Sequence, residues 1–250
     1  MGDDGQDGWS ALAGEWSELW GAAAEPAQRA LVAASGVGAG SRVLDVGCGS
    51  GEFLRLLTGL GAVASGIDPA PGMVAAARAA APLADVRVGD AETLPWADGS
   101  FDVVTAVNAL QFAEDTVGAL EEFARVTVDG GFVAVANWAE GALNDLDLIE
   151  AAVAEADGEE PQPDGDLRLA GGLEQALADA GFRVVTAGVV EVPWLAADDA
   201  TLLRGVLLGE DASVVRDLAS VVLTAAQRFR SGGGYRLVNR YRFAVGRIER

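Results

Sequence analysis

Histidine and lysine are absent from this chain of 250 residues, and cysteine occurs once. Without histidine, no side chain has an unperturbed pKa near neutrality, and no cysteine and histidine cluster marks a metal site. Without lysine, the Gly-Lys-Ser/Thr element of a phosphate-binding P-loop cannot be present. The single Cys48 cannot form an internal disulfide, which suits a reducing compartment and favours a small buried thiol over a nucleophile.

Long apolar runs and clustered positive charge are also lacking. Apolar residues make up 50 % of the chain, but no uninterrupted stretch is long enough to span a bilayer. The acidic start lacks the basic and apolar regions of a secretory signal, so we expect a cytoplasmic protein. The length of 250 residues predicts one α/β domain over residues 1–250. A net charge of −21 disfavours a nucleic acid partner. The lack of a long apolar stretch disfavours a membrane partner.

All 17 basic residues are arginine. The richest arginine segment, residues 228–247, is open to two interpretations: charges on a strand face and at helix ends, or a patch that receives an acidic substrate group. The lysine-free, acidic and alanine-rich composition is equally consistent with genome bias and with adaptation to salt.

The segment 43–51 is the most informative stretch that is present. A short apolar strand ends in glycines at alternate positions, Gly47, Gly49 and Gly51, and a helix begins at once with Glu52. Glycines there let the backbone turn sharply and approach a ligand closely, and the helix start directs unpaired N–H groups at it. This pattern predicts a nucleotide-type cofactor site. The dinucleotide fingerprint needs its third glycine at position 52, so the spacing disfavours a nicotinamide cofactor.

A second buried strand, near 62–67, ends in Asp68 and Pro69. An acidic residue that closes the second strand is placed to accept both hydroxyls of a ribose. The alternative is a helix N-cap before Pro69.

These pieces resemble the class I S-adenosylmethionine-dependent methyltransferases, most closely the small-molecule branch that includes quinone-biosynthesis C-methyltransferases. Besides segment 43–51, the similar pieces are 66–69, 89–96 and 100–104, in the family's order and spacing across about residues 40–140. The resemblance implies S-adenosyl-L-methionine as cofactor and a doubly wound, Rossmann-like, seven-stranded and mostly parallel sheet. By the same resemblance, the strands near 182–192 and 235–247 pair antiparallel at one sheet edge.

Two helical segments flank this core. Residues 1–35 predict an N-terminal helical cap, and residues 196–231 predict a helical insertion between the last two strands, with apolar residues at helical spacing. We expect both to form a lid over the substrate. A dimer contact, with the chain as a homodimer, and a simple extension of the core are the alternatives.

Site residues carry over from the family by motif. Asp45 would lie near the ammonium of the cofactor, the three loop glycines against its methionine and ribose, and Asp68 with Pro69 at the ribose hydroxyls. Met73, Asp90 and Ala91 would hold the adenine, and Asn108 would face the methyl group. The candidate substrate residues are Trp16, Trp20, Gln111 and Trp138. Each has a plainer interpretation as a turn, a loop-stabilising residue or core packing.

The expected function is methyl transfer to a small, apolar or aromatic metabolite at oxygen, nitrogen or carbon. No catalytic residue is assigned, because the histidine base of many O-methyltransferases is missing. The candidate bases are Glu114, Asp115, Glu140, Tyr235 and Tyr241, and we expect a nucleophile that needs little help from a base. The alternatives are a cofactor-binding protein or cyclase that transfers no methyl group and, less favoured, an NAD(P)-dependent oxidoreductase.

Overall fold

A single twisted sheet organises the chain in the computed structural model, which describes residues 3–249, with side chains from residue 7. Its main path has the strand order β3-β2-β1-β4-β5-β8-β6, and the short β7 pairs with β8. The strands are β1 Arg42–Val46, β2 Val63–Asp68, β3 Asp85–Val88, β4 Phe101–Val107, β5 Thr127–Trp138, β6 Arg183–Ala196, β7 Arg230–Ser231 and β8 Gly234–Arg247.

The α-helices separate the first five strands, except for β3 and β4, and four of the described helices follow β5. They are α1 Asp3–Leu19, α2 Glu25–Ser35, α3 Glu52–Gly59, α4 Pro71–Ala80, α5 Thr116–Val126, α6 Asp145–Ala156, α7 Gly172–Asp179, α8 Asp199–Val206 and α9 Ala212–Ala225. No helix within residues 3–249 is both long enough and apolar enough to cross a membrane.

Strand directions confirm the predicted fold class. Strands β1 to β5 pair parallel, whereas β8 runs antiparallel to both of its neighbours, β5 and β6. The connections from β1 to β2, from β2 to β3 and from β4 to β5 pass through helices, whereas a loop joins β3 to β4. Parallel strands also bring their carboxyl ends to one edge of the sheet, where ligands bind in open α/β folds.

Helices cover both faces of the sheet. Leu31 of α2 and Leu54 and Leu57 of α3 are fully buried on one face, together with Val74 of α4. On the other face, Phe123 of α5 is fully buried in a second apolar cluster that includes α7. A third cluster joins Trp20 to α6, α8 and α9 beyond the strand ends.

β5 begins at Thr127, which already pairs with Phe101, and β6 extends further than the sequence predicts. β6 continues to Ala196, because its last residues pair with the start of β8. Pro193 is accommodated there because β6 is the edge strand, where an unpaired backbone nitrogen costs nothing.

Candidate active site

A cavity of about 860 Å³ lies across the carboxyl ends of the parallel strands. Residues that follow β1, β2, β4 and β5 form its floor, and side chains of α1 and α8 close it from above. Two parts are defined by the strands beneath them. We call the part over β1, β2 and β3 the cofactor half, and the part bounded by the ends of β4 and β5 together with α6 the acceptor half.

The turn after β1 is fastened to β2 by main-chain bonds. The backbone N–H groups of Gly47 and Cys48 both donate to the carbonyl of Ile67, at 2.8 and 3.0 Å. The three loop glycines all have positive φ, at 69°, 51° and 92° for Gly47, Gly49 and Gly51. This left-handed backbone is accessible to glycine at no steric cost.

The loop glycines differ in what surrounds them. A Cβ at Gly47 would lie 2.3 Å from the Cβ of Ala109, and one at Gly51 would lie 2.6 Å from the Cα of Ala77. Gly49 has no heavy atom within 4 Å of that position. Gly47 and Gly49 line the cavity, whereas Gly51 packs against α4 and is not among the lining residues. Of the three, Gly49 has the open surface that a ligand needs.

Asp68 closes β2 at the cavity wall, as the sequence predicts. One carboxylate oxygen accepts the backbone N–H of Gly49 at 2.9 Å, and the other accepts that of Ala70 at 2.9 Å. Burial raises the pKa of this carboxyl group, and the two backbone bonds oppose the increase. The carboxylate is therefore held rigidly, in contact with the loop that a ligand would touch.

Asp45 lies in β1, below the loop, and is almost fully buried. Its Oδ1 accepts the hydroxyl of Thr105 in β4 at 2.8 Å. Burial raises the pKa of Asp45 to about 7, opposed by the Thr105 bond and reinforced by the negative charge of Asp68. A positively charged group at this wall would favour the ionised form.

Asn108 follows β4 with a φ of 52°, the one non-glycine residue with positive φ among the described residues. Its Nδ2 donates to the phenolic oxygen of Tyr241, and its Oδ1 accepts the backbone N–H of Trp138 at 3.0 Å. The side chain thus joins the ends of β4 and β5 to the middle of β8. Asparagine tolerates this backbone conformation better than most residues, and such local strain often occurs at functional sites.

Aromatic side chains form a continuous wall of the cavity. Trp9 meets Trp16 edge to face at 5.2 Å, Trp16 stacks on Trp20 at 6.3 Å, and Trp20 meets Trp138 at 6.2 Å. Trp138 in turn packs on Tyr241 at 4.8 Å. Two hydrogen bonds fasten this wall to α1, α8 and β6. The indole N–H of Trp20 donates to the carbonyl of Gly205, and that of Trp194 to the carbonyl of Leu19.

The other predicted residues also reach the cavity. Met73 is buried beside Ala13 and Ala70 at the α1–α4 contact. The side-chain amide of Gln111 donates to the carbonyl of Asn108 at 3.1 Å. The predicted cofactor and substrate residues that line the cavity are Asp45, Gly47, Gly49, Asp68, Pro69, Met73, Asp90, Ala91, Asn108, Trp16, Trp20, Gln111 and Trp138.

The candidate bases separate into two groups. Glu140 pairs with Arg242 at 2.6 Å, which lowers its pKa, and Tyr235 donates to Asp199. Neither residue lines the cavity. Glu114, Asp115 and Tyr241 do line it. Asp115 caps α5 by accepting the N–H of Val117, and burial raises the pKa of Tyr241 far from neutrality.

Several other side chains have structural surroundings. Burial and the nearby carboxylates raise the pKa of the Cys48 thiol well above its usual value, so the inert interpretation fits. Trp96 lies under the guanidinium of Arg87 and outside the cavity. In the arginine segment, Arg240 pairs with Glu191 at 2.8 Å. Together with the Arg242 pair, this contact favours the structural interpretation of that segment.

Sequence reasoning missed one side of the acceptor half. Trp9, Asp147, Glu150 and Arg168 all line the cavity. Asp147 and Glu150 lie in α6, whose sequence pattern does not say which charged residues face inward. The spacing of Asp147 and Glu150, three residues apart next to Leu146, places them on one helix face and is the signal that was available.

Comparison with known proteins agrees with this geometry. Residues 44–135 match a family model described as "Methyltransferase domain". The demethylmenaquinone methyltransferase of Mycobacterium sp. (strain KMS) is 36 % identical over 177 residues, which cover 67 % of this chain and 75 % of that protein. The malonyl-[acyl-carrier protein] O-methyltransferase of Yersinia pestis is 39 % identical over 104 residues, 42 % of this chain and only 39 % of that protein.

A solved structure extends the likeness in fold to nearly the whole chain. A chain from the complex between the Haloferax volcanii Trm112 methyltransferase activator and a methyltransferase superposes with a TM-score of 0.63. It is 23 % identical, and the match covers 98 % of both chains. The fold and the glycine loop define a Rossmann-like, cofactor-binding α/β protein. This chain belongs to the S-adenosylmethionine-dependent methyltransferase family, and membership implies that molecule as the methyl donor.

Proposed function

We propose that this protein binds S-adenosyl-L-methionine in the cofactor half of the cavity and transfers its methyl group to a small, apolar or aromatic molecule in the acceptor half. The observation that carries the proposal is the pairing of Asp68 with Gly49. A rigid carboxylate lies beside a glycine whose open side faces the cavity. A side chain at position 49 would occupy space that the cofactor needs.

The residues of the cofactor half fit the parts of the donor. Each oxygen of Asp68 uses one lone pair on a backbone N–H and keeps another for a ribose hydroxyl. Asp45 is a buried negative charge that suits the ammonium group. Met73 and Ala91 offer apolar surface to the adenine, and the carboxylate of Asp90 is an acceptor for its amino group. When bound, the donor supplies an electrophilic methyl group on a positively charged sulfur.

In the acceptor half, the protein positions the substrate and excludes water. The aromatic wall gives a broad apolar surface, and Asn108 fixes it by bonds to Tyr241 and Trp138. In-line attack on a methyl group depends chiefly on holding the two reactants in the correct orientation. The wall supplies that orientation, and the chain contains no histidine to act as a base.

We further propose that α1 and α8 act as a cap over this cavity. Trp9 and Trp16 of α1, Trp20 directly after it, and Gly205 and Val206 of α8 contribute to its lining. Arg204 of α8 joins the two helices by pairing with Glu15 at 2.8 Å and Glu18 at 2.9 Å. The second helix, α2, buries Leu31 on the sheet, so the capping part of residues 1–35 is mainly α1.

Calorimetric titration with S-adenosylhomocysteine, the demethylated product, tests the cofactor half. Asp68→Asn removes the negative charge and one acceptor, so we expect its affinity to fall by about tenfold to a hundredfold, as for a charged hydrogen bond lost from a ligand. Asp179→Asn is the matched control, because Asp179 is exposed on α7 and contacts only Gln175 in the described residues. Equal affinity for both variants would contradict the proposal.

Transfer itself is tested by following the methyl group. Incubation with donor carrying a labelled methyl should move the label to a small acceptor and release S-adenosylhomocysteine in equal amount. Conversion of an acceptor with the donor recovered intact would instead select the alternative of a cofactor-binding cyclase.

A further inference from the structure

The far side of the acceptor half is built by α6 and the turn that follows it. Leu146, Asp147 and Glu150 of α6 line the cavity together with Arg168. The backbone N–H of Leu146 in α6 donates to Asn239 of β8, and β8 lies beyond β5 in the sheet, whereas the glycine loop follows β1 on the other side of β4. Whatever these side chains recognise belongs to the acceptor rather than to the cofactor.

The positive charge on this side is already neutralised. Arg168 pairs with Asp147 at 2.5 Å and with Asp164 at 3.2 Å, and its Nε also donates to the carbonyl of Ala139 at 2.9 Å. Among the described residues that line the cavity, Arg168 is the one cationic side chain. An anionic acceptor therefore has no unpaired cation to bind.

Glu150, unlike Arg168, is not paired with a residue of opposite charge in the described part of the chain. No ion pair within 4.0 Å or side-chain hydrogen bond joins it to another described residue, and Glu150 is exposed and lines the cavity. An exposed carboxylate without a partner in the protein can pair with a cation that a ligand brings into the cavity.

Aromatic faces surround the same space. Trp138 ends β5, Tyr241 lies opposite it in β8, the strand that α6 contacts, and Trp20 contacts Trp138 from the cap. Aromatic rings attract cations through the negative charge density on their faces, most strongly for tryptophan and most strongly where water is excluded. An unpaired carboxylate together with tryptophan rings is the combination that binds substituted ammonium groups.

We propose that the acceptor half recognises a small molecule with an amine or quaternary ammonium group on an apolar or aromatic body, with Glu150 as the counter-ion. The proposal rests on the proposed function for the identity of this space as the acceptor site. It narrows the substrate to cationic molecules and disfavours carboxylates.

Binding of simple probes tests this without any turnover. Phenyltrimethylammonium, benzyl alcohol and benzoate share an aromatic body and differ in charge, and their binding is followed by tryptophan fluorescence and calorimetry. We expect the cation to bind about tenfold or more tightly than benzoate, with benzyl alcohol between them. Each titration is run with and without S-adenosylhomocysteine.

Variants of α6 assign the preference to one side chain. Glu150→Gln should weaken phenyltrimethylammonium about tenfold and leave benzyl alcohol and S-adenosylhomocysteine within about twofold of wild type. Glu150→Asp keeps the charge and should retain the preference for the cation. Glu155→Gln is the control, since Glu155 is exposed on the same helix and outside the cavity. Thermal unfolding checks that all variants fold.

Two results would overturn the inference: benzoate binding as tightly as the cation, or Glu150→Gln binding the cation as wild type does. If the cation binds through Glu150 but S-adenosylhomocysteine does not bind, the recognition of the amine stands and the proposed cofactor is wrong. The two proposals therefore fail separately.

Discussion

Among single residues, Asp45 shows how burial and function oppose each other. Its carboxyl group is removed from water at the foot of the glycine loop, and one hydroxyl from Thr105 is its side-chain hydrogen-bond partner among the described residues. The ionised form is therefore costly in the free protein, and its pKa rises to about 7. A ligand that brings a positive charge would reverse this preference, which couples ligand binding to the loss of a proton.

This coupling predicts a pH dependence of binding. S-adenosylhomocysteine carries an ammonium group, so its affinity should rise with pH up to about 7 and then level off. Below that pH, each unit should weaken binding by up to about tenfold. Asp45→Asn should bind weakly at every pH and abolish the slope. Calorimetry between about pH 5.5 and 8 measures it, and a wild-type affinity that does not change over this range would refute the role of Asp45.

The stability of the folded protein changes with pH in the opposite direction to the ligand affinity. Because the folded protein holds this proton more tightly than the unfolded chain, Asp45 costs stability as pH rises from about 4 to 7. Denaturant titration at pH 5 and pH 8 measures the free energy of unfolding of Asp45→Asn and of wild type. Between these two pH values, the difference should change by about 2 kcal/mol in favour of Asp45→Asn. That gain is the control on the binding experiment, since it reports the same titration without ligand.

Among elements, the junction of β1 and α3 combines two demands in one loop. Gly51 lets α3 begin against α4, where a Cβ would strike Ala77, whereas Gly49 leaves room over the cavity. Both residues have positive φ. The sequence shows the same residue type at both positions, so spacing alone assigns them the same role.

Three alanine substitutions separate these demands. Gly36→Ala, at the exposed C-cap of α2, has positive φ and open space, so it should cost about 1 kcal/mol from backbone strain alone. Gly49→Ala should cost about the same and lose S-adenosylhomocysteine binding. Gly51→Ala adds a clash with backbone and should cost roughly 3 kcal/mol in total. Unfolding in urea and calorimetry provide the two measurements.

The ranking of the three variants tests the roles of Gly49 and Gly51 separately. If Gly49→Ala binds S-adenosylhomocysteine as Gly36→Ala does, the open side of Gly49 is not a ligand surface. If Gly51→Ala is no less stable than Gly36→Ala, the contact with α4 does not constrain the loop.

The positions of the helices and strands were more predictable from sequence than the direction in which their side chains point. The alternation of apolar strands with amphipathic helices predicted the sheet, and Asp68 closes β2 where its motif indicated. The inward direction of Glu150 was not predictable, because α6 is apolar or acidic around much of its circumference. Likewise, pairing of Glu140 with Arg242 depends on residues about a hundred positions apart, which local patterns do not register.

Over the whole molecule, charge is the dominant feature. A net charge of −21 on 250 residues produces self-repulsion that the ion pairs of 17 arginines only partly offset. Many of these pairs lie at the surface, where each contributes little. The folded state should therefore gain from dissolved ions that screen the repulsion.

We expect the melting temperature to rise by several degrees as KCl is raised from about 0.05 M to 1 M, because the screening length falls from above 10 Å to about 3 Å. Most of the rise should occur by about 0.3 M if screening is the cause. Differential scanning calorimetry measures it. A continued rise at molar salt would indicate adaptation to salt, and a constant melting temperature would show that repulsion is unimportant.

The stacked pair of Trp20 and Trp194 joins α1 to β6, with ring centroids 4.3 Å apart and planes 11° from parallel. The electronic transitions of indole rings this close couple to each other. The pair should therefore produce an exciton couplet, a positive band next to a negative band, in the ultraviolet circular dichroism spectrum. Circular dichroism should therefore report the position of the cap without an attached dye. The two bands should weaken when α1 moves away from β6 and recover when it returns.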